Sequence, residues 1–432
     1  MNLITRIGES ALEIVAKLTI KRFSPKIIGI TGSVGKTSTK KAVYTVLKHA
    51  SERRVRMAGG SLNTRIGFAL SIIGYYENPG GIVLGLGALV KGVVQLLNPW
   101  AYKNYPEILI LEYGADRPGD IDKLAKIASP NVGVVTAIGD VPVHIEFYKS
   151  VDEVVLEKSC LIKDLGPAGK AILNIDDPRV FGMREVAMTE IMTFGFDSSA
   201  DVRISEYKNI SEDGKPKGLF LKLIVDKNSV TTEIEGVFGK SQAYAAAAAV
   251  AVGLTEGINI HKIVDALSLY DGVKGRGRLI PGIRNSFILD DTYNASPLSA
   301  AAALEILREL EGKRKIAVLG DMLELGAHTE KAHLDLGKHA AKVADYIITV
   351  GARANFVAEG AIAAGFPESN IRRFETSEEV GEPLQELIDT GDLVLIKASQ
   401  GIRTEKIVLE IMAEPQRAKE VLVRQYGKWL KN

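Results

Sequence analysis

The 432-residue sequence has one cysteine, Cys160, so no disulfide framework holds it together and a reducing compartment fits. It has almost no excess of either charge: 54 Lys+Arg stand against 53 Asp+Glu, a formal net charge of +1. That balance gives no reason to expect bulk nucleic-acid binding. Aromatic residues are few at 6%, beside 46% hydrophobic and 25% charged residues, which is globular composition and excludes long disorder, collagen and coiled coil. Long apolar runs are also missing. Residues 1–23 space their apolar side chains as an amphipathic helix does (Leu3, Ile7, Leu12, Ile14, Val15, Leu18), with no small-residue cleavage site, so they do not read as a secretory signal. Residues 81–97 are interrupted by Lys91 and four glycines, too short and broken for a transmembrane helix. Five basic residues (Arg6, Lys17, Lys21, Arg22, Lys26) oppose two acids (Glu9, Glu13) between positions 6 and 26. Two readings of these segments stay open: helices packed on a domain, or peripheral contact with the inner face of a membrane.

What the chain does have is 42 glycines against 15 prolines and a β/α alternation, at a length that suggests two or three domains. Short runs rich in Val, Ile and Leu, bounded by Gly, Pro or Asp, predict buried strands at 26–31, 108–112, 132–138, 171–174, 287–290, 315–319, 346–350 and 393–397. Residues 201–239 instead predict antiparallel strands at 202–207, 219–225 and 231–234, as a β-rich insert. The alanine run 245–249 reads as a closely packed helix, and glycines with basic residues at 272–277 mark a boundary. The expected fold class is α/β: a P-loop central domain with a mostly parallel sheet (26–273), a Rossmann-like C-terminal α/β domain (274–432), and an N-terminal amphipathic helix (1–25).

The strongest local signal follows the strand Lys26–Thr31. Gly32-Ser33-Val34-Gly35 forms a turn, and Lys36-Thr37-Ser38 opens a helix. Glycines let backbone N–H groups close on phosphate oxygens, and the helix start favours the anion. Lys36 would reach the β- and γ-phosphates of ATP, and the Thr37 hydroxyl would sit on Mg²⁺. The general phosphate loop has a glycine where Ile30 stands, so the match is to a shorter form, G-x-x-G-K-T. Glu112 ends an apolar strand, where a carboxylate faces the ligand crevice of a parallel sheet and supplies a hard oxygen for Mg²⁺.

Six ordered segments extend this reading: TGSVGKTSTK (31–40), SLNTRIGFAL (61–70), LEYGADRPGDI (111–121), HIEFYKSVDEVVLEKS (144–159), DDTYNASPLSAAAAL (290–304) with LGDMLELG (319–326), and KASQGIRTEKIV (397–408). Together they resemble the Mur ligases, and within them the family that adds D-alanyl-D-alanine to UDP-N-acetylmuramoyl-tripeptide. The resemblance implies an ATP-dependent acid–amino-acid ligase of peptidoglycan synthesis that uses ATP and Mg²⁺. A carboxylate of the acceptor would take the γ-phosphate, and the dipeptide amine would displace phosphate from the acyl phosphate. It implies Mg²⁺-binding roles for Glu112 and His144, and for Lys158 as a carbamate. It implies that Asp291 meets the ATP ribose, that Arg278 meets the nucleotide from the second domain, and that the domains close over ATP. Asn294, Asp321, Glu324 and Arg403 would line the acceptor side.

Two departures from the family accompany this. Only 30 residues precede Thr31, where the family carries a UDP-recognising domain, so a single helix is expected in its place. The family's adenine-side His-Asn-x-x-Asn is Ser241, Gln242 and Ala245 here, leaving Gln242 as the one amide contact. The expected setting is a cytoplasmic monomer acting on small molecules, with no nucleic-acid partner. Two further readings stay open: a Mur-like ligase with a lipid-linked or folate-like acceptor, and a nucleotide-binding partner subunit that does not catalyse.

Overall fold

The computed structural model describes residues 3–59, 64–75 and 82–430. Residues 1–2, 61–63 of the second motif and position 81 lie outside them.

Two sheets organise the chain. The first has nine strands: β1 (Lys26–Thr31), β2 (Val55–Met57), β3 (Ile108–Glu112), β4 (Val132–Val135), β5 (Lys170–Asn174), β6 (Glu190–Gly195), β7 (Val202–Glu212), β8 (Lys215–Val225) and β9 (Asn228–Glu235). Their order is β2-β3-β1-β4-β5-β6-β7-β8-β9. The pairs from β2 to β7 are parallel, and β7, β8 and β9 pair antiparallel. The segment read as a β-rich insert therefore continues the main sheet. It joins through a short parallel register, Phe194↔Val202 and Gly195↔Arg203. The strand expected over 132–138 stops at Val135, because Thr136 and Ala137 turn to hold the phosphate loop instead.

Helices cover both faces. On one, α2 (Lys36–Ala50) and the helices Lys240–Thr255 and Ile260–Leu267 bury Val43, Val46 and Ile263 against Ile28, Ile30 and Val134. The alanine run lies fully inside the first of these later helices. Small side chains let it approach α2 and the sheet closely. On the opposite face, α1 (Leu3–Phe23), α3 (Arg65–Ile73) and α4 (Ile82–Leu97) pack Leu12, Val15, Phe68 and Ile72 against Ile27, Leu109 and Leu111. Two more helices, α5 (Asp120–Ala125) and α6 (Val151–Lys163), follow β3 and β4.

The second sheet has six strands: β10 (Arg278–Pro281), β11 (Phe287–Asp291), β12 (Lys315–Gly320), β13 (Tyr346–Val350), β14 (Ile371–Phe374) and β15 (Leu393–Lys397). Their order is β10-β11-β15-β12-β13-β14, parallel except for β10. It too is covered on both faces, around Leu289 and Leu395 on one side and Ile288 and Ile396 on the other. The expected α/β class, with a mostly parallel sheet and a second mixed sheet, is what the chain forms.

Candidate active site

The site starts where β1 ends. Gly32 and Gly35 have φ of +138° and +90°, a region that L side chains rarely adopt. A Cβ on Gly32 would stand 2.0 Å from Thr136 Oγ1. That closeness has a purpose: Thr136 Oγ1 donates to the Val34 carbonyl at 2.6 Å, while Ser33 N donates to the Ala137 carbonyl at 2.6 Å. The loop is thus clamped by the residues following β4. Lys36 Nζ donates to the Gly32 carbonyl at 2.8 Å, which draws the lysine back over the turn. Ser33 Oγ is buried in the loop with no hydrogen-bond partner among the described residues. An orphaned, buried hydroxyl in a glycine turn just ahead of a helix start suits a phosphate oxygen.

Parallel pairing of β1 with β3 sets Ile30 beside Glu112 and brings that carboxylate to the loop. Thr37 Oγ1 donates to Glu112 Oε2 at 3.3 Å. Lys40, one turn into α2, reaches the same oxygen at 3.2 Å, with both side chains almost fully buried. Burial alone would raise the Glu112 carboxyl, but the charges of Lys40 and Lys36 and the Lys40 hydrogen bond outweigh it and hold the group below its usual range. A hydroxyl and an ionised carboxylate side by side are the hard oxygen donors Mg²⁺ takes, so these residues fit the ion.

Lys158 comes to the site from α6. That helix is held by its neighbour Glu157, whose carboxylate accepts from Gly119 N at 2.6 Å and Ile121 N at 2.7 Å. Lys158 is 4% exposed. Burial first, and the Lys36 charge second, pull its ammonium down to about 7, against the attraction of Glu157, Asp116 and Glu112. His144 sits at φ +66° in the left-handed region. Its Nε2 is 3.3 Å from Asp116 Oδ1, and its Nδ1 is 2.6 Å from Glu324 Oε2. The second contact is close but misaligned, so Nδ1 makes no hydrogen bond. Glu324 also has a positive φ, +63°, and belongs to the second sheet's loops. The two halves of the chain therefore meet at His144. Non-glycine residues in this conformation cost about 1–3 kcal/mol each and cluster at functional sites.

From the second sheet, Asp291 and Lys397 end neighbouring strands in register. They form a buried pair at 2.5 Å, and Lys397 Nζ also donates to the Asn294 carbonyl at 3.0 Å. Burial pushes the Asp291 carboxyl up against the pull of Lys397. Next to it, Asp290 accepts from Thr292 Oγ1 at 2.6 Å and Gly275 N at 3.1 Å, fixing the segment that joins the sheets. Arg276 lies in that segment, stacked 4.1 Å over the Tyr293 ring. Enclosure lowers the Lys36 ammonium, Glu112 opposes this, and the Arg276 charge lowers it further. Arg276 also acts on Glu112 and Asp291, so one guanidinium is felt on both sides of the junction. Arg278, the arginine singled out from the sequence, stands half-buried at the start of β10, bridged to Val237.

Other expected residues are engaged elsewhere. The Gln242 amide donates to the Arg276 carbonyl at 3.0 Å and accepts from the Tyr270 hydroxyl at 2.8 Å, bracing the joint between the sheets. Asp321 Oδ1 accepts from Ala354 N at 2.7 Å, at the start of the helix Asn355–Ala363. Arg403, at φ +64°, donates to Glu405 at 2.6 Å and to the Trp429 carbonyl at 2.8 Å. Arg424 holds the other oxygen of Glu405 at 2.8 Å and donates to the Thr292 carbonyl at 3.2 Å, so the C-terminal tail is tied to the Asp290–Tyr293 turn.

Sequence reasoning passed over Lys40, Asp116, Arg276, Lys397 and Arg424. If Arg276 is the arginine that meets the transferring phosphate, Arg276→Ala should lower kcat at saturating ATP by about 10²-fold. Arg278→Ala should change it by less than about threefold. Steady-state phosphate-release kinetics on both variants decide this, and equal losses would refute it.

Two family models match the chain: the Mur ligase middle domain over residues 30–253, and the Mur ligase glutamate ligase domain over residues 275–400. The UDP-N-acetylmuramoyl-tripeptide–D-alanyl-D-alanine ligase of Bacillus subtilis (strain 168) is 30% identical over 412 residues, covering 94% of this chain and 80% of the relative. The protein of the same name from Rickettsia prowazekii (strain Madrid E) is 27% identical over 408 residues, covering 92% and 80%. Among solved structures, the MurF ligase of Thermotoga maritima in complex with ADP superposes with a TM-score of 0.76 at 27% identity. It covers 95% of this chain and 84% of that one.

Proposed function

Because the chain belongs to the Mur ligase family, we propose that it joins D-alanyl-D-alanine to UDP-N-acetylmuramoyl-tripeptide in peptidoglycan synthesis, in the cytoplasm and as a monomer. The observation that carries this reading is the convergence of Lys36, Thr37, Glu112 and Lys158 on one loop, within reach of the charge of Arg276 from the joining segment, which also acts on Asp291 of the other sheet. The relatives' names support the dipeptide-adding reaction, and the ADP-bound neighbour supports use of ATP. Neither a folate-like or lipid-linked acceptor nor a non-catalytic subunit is favoured by these likenesses.

An acceptor carboxylate oxygen bonds to the γ-phosphorus as the bond to the ADP oxygen breaks. The amine nitrogen then bonds to the acyl carbon as the C–O bond to phosphate breaks, and a proton goes to solvent. Mg²⁺, when bound, supplies neutralising charge between two anions that would otherwise repel. Thr37 and Glu112 would hold one ion; His144 and a carbamate on Lys158 would hold a second. Lys36 and the loop N–H groups orient the phosphates, and Arg276 offsets charge that develops during transfer. Lys40 keeps Glu112 ionised, and the Asp291–Lys397 pair presents a carboxylate toward the ribose hydroxyls. Asn294, Asp321, Glu324 and Arg403 are proposed for the acceptor side, Asp321 through the backbone it positions. No side-chain nucleophile is required.

Phosphate should be released only when ATP, Mg²⁺, UDP-muramoyl-tripeptide and D-alanyl-D-alanine are all present, with the pentapeptide product seen by mass spectrometry. Turnover with another acid or amine but not with this pair would overturn the substrate assignment and leave the ligase chemistry standing.

A further inference from the structure

Helix α4 carries an apolar stripe that faces solvent. Leu86, Val90, Val93, Val94 and Leu97 are 44–75% exposed and recur at the spacing of one helical face. The opposite face is the packed one: Ala88 is fully buried, and a Cβ on Gly92 would stand 2.4 Å from Val15 of α1. On α1 the same duality appears. Leu12, Val15, Ala16 and Phe23 are buried, while Ile14 and Leu18, one turn apart, are half-exposed. The helices are tied at their ends, where Arg22 donates to the carbonyls of Leu96 and Asn98. After α4, the turn Pro99–Lys103 sets Trp100 and Tyr102 outward at 69% and 55% exposure. Contiguous apolar surface of this kind on one side of a domain marks an interaction site.

Charge decides what that site fits. The two helices and the turn hold six basic residues (Arg6, Lys17, Lys21, Arg22, Lys91, Lys103) and two acids, Glu9 and Glu13. Glu13 is already paired with Arg65. The whole chain carries only +1, so everything outside these segments is net acidic. Lys17, Lys21 and Lys103 are exposed beside the stripe. An apolar face with flanking lysines, and with Trp and Tyr at its border, matches an anionic lipid surface, where aromatic rings sit at headgroup level. No helix among the described residues is long and apolar enough to cross a membrane, so the contact is in the interface plane.

We propose that the exposed face of α1, α4 and the Pro99–Lys103 turn docks this protein peripherally on an anionic lipid bilayer. Docking through this face keeps the net-acidic remainder of the chain out of the contact.

The full chain should co-sediment with vesicles of mixed phosphatidylglycerol and phosphatidylcholine, and about tenfold less with phosphatidylcholine alone or at high salt. Val90→Glu/Val94→Glu and, separately, Lys17→Glu/Lys21→Glu should each lower binding by about tenfold while ligase turnover in solution is unchanged. In a Trp429→Phe background, Trp100 emission should shift to the blue on anionic vesicles. Three results would overturn the proposal: no co-sedimentation of the unaltered chain, binding indifferent to both variants, or a solution dimer that Val90→Glu/Val94→Glu converts to monomer without any lipid effect. The readout is binding without ATP, so its failure and a failure of the proposed reaction are distinguishable.

Discussion

Glu112→Gln should abolish turnover and also unsettle the fold, and the second effect is the more diagnostic. The carboxylate is the partner of Lys40, and both are almost fully buried. An amide removes the buried Glu112 charge from beside that ammonium, and breaking a buried ion pair typically costs about 3–5 kcal/mol. The expected result is a fall in Tm of roughly 10 °C for the half of the chain that carries the first sheet, read by calorimetry. Turnover should fall by at least about 10³-fold, because a neutral amide also loses the hard oxygen charge for Mg²⁺. The double variant Lys40→Met/Glu112→Gln separates the roles. Removing the buried cation as well should restore most of the lost stability and none of the activity. If Glu112→Gln is as stable as the parent chain, the buried pair is not the device that fixes Glu112.

The phosphate loop was legible because it is local. Strand, glycine turn and helix are consecutive, and the special φ angles fall on the glycines that the turn needs. Glu112 was legible from its strand end. Lys40 lay inside a recognised motif, but its task depends on β1 and β3 being parallel neighbours, which no run of residues states. Arg278 was singled out from the sequence, and its neighbour Arg276 was not. Both sit in one Gly-Arg-Gly-Arg stretch, and only the tertiary path shows which guanidinium stacks on Tyr293 near Lys36.

The fold shows the same division. Strands with apolar runs were readable, whereas β2, β6, β10 and β14 were not. Val55-Arg56-Met57 and Ile371-Arg372-Arg373-Phe374 are edge or short strands whose pattern carries no such run. The antiparallel strands were visible as strands, but not as the continuation of the main sheet. Only two residue pairs join β6 to β7. Asp321 and Gln242 were picked by motif, and their carboxylate and amide are spent on backbone and hydroxyl groups that the sequence does not place next to them.

Lys158→Ala should be the most damaging single change that leaves the fold intact. The residue is buried, and burial together with the Lys36 charge pulls its amine down to about 7, well below an ordinary lysine. That is the condition for carbamate formation: a neutral amine attacks CO₂, a C–N bond forms and one proton is lost. The product is an anion where the parent chain would otherwise carry a repelled cation next to Lys36. Activity should therefore fall by about 10³-fold or more in Lys158→Ala, and in the parent chain it should depend on bicarbonate in degassed buffer. A ¹³C carbamate resonance that appears with labelled bicarbonate, and is missing in Lys158→Ala, is the direct measurement. The pH dependence has a definite sign. Without CO₂, the unfolded chain binds the Lys158 proton up to its ordinary pKa while the folded chain releases it near 7. Burial thus destabilises the fold fully below about pH 7, and the penalty is relieved as pH rises from there toward 10.5. Lys158→Met should accordingly be more stable than the CO₂-depleted parent at pH 6, with the difference shrinking at pH 9. A parent chain that is indifferent to bicarbonate, shows no carbamate signal and is no less stable than Lys158→Met at pH 6 would remove both the modification and its physical cause.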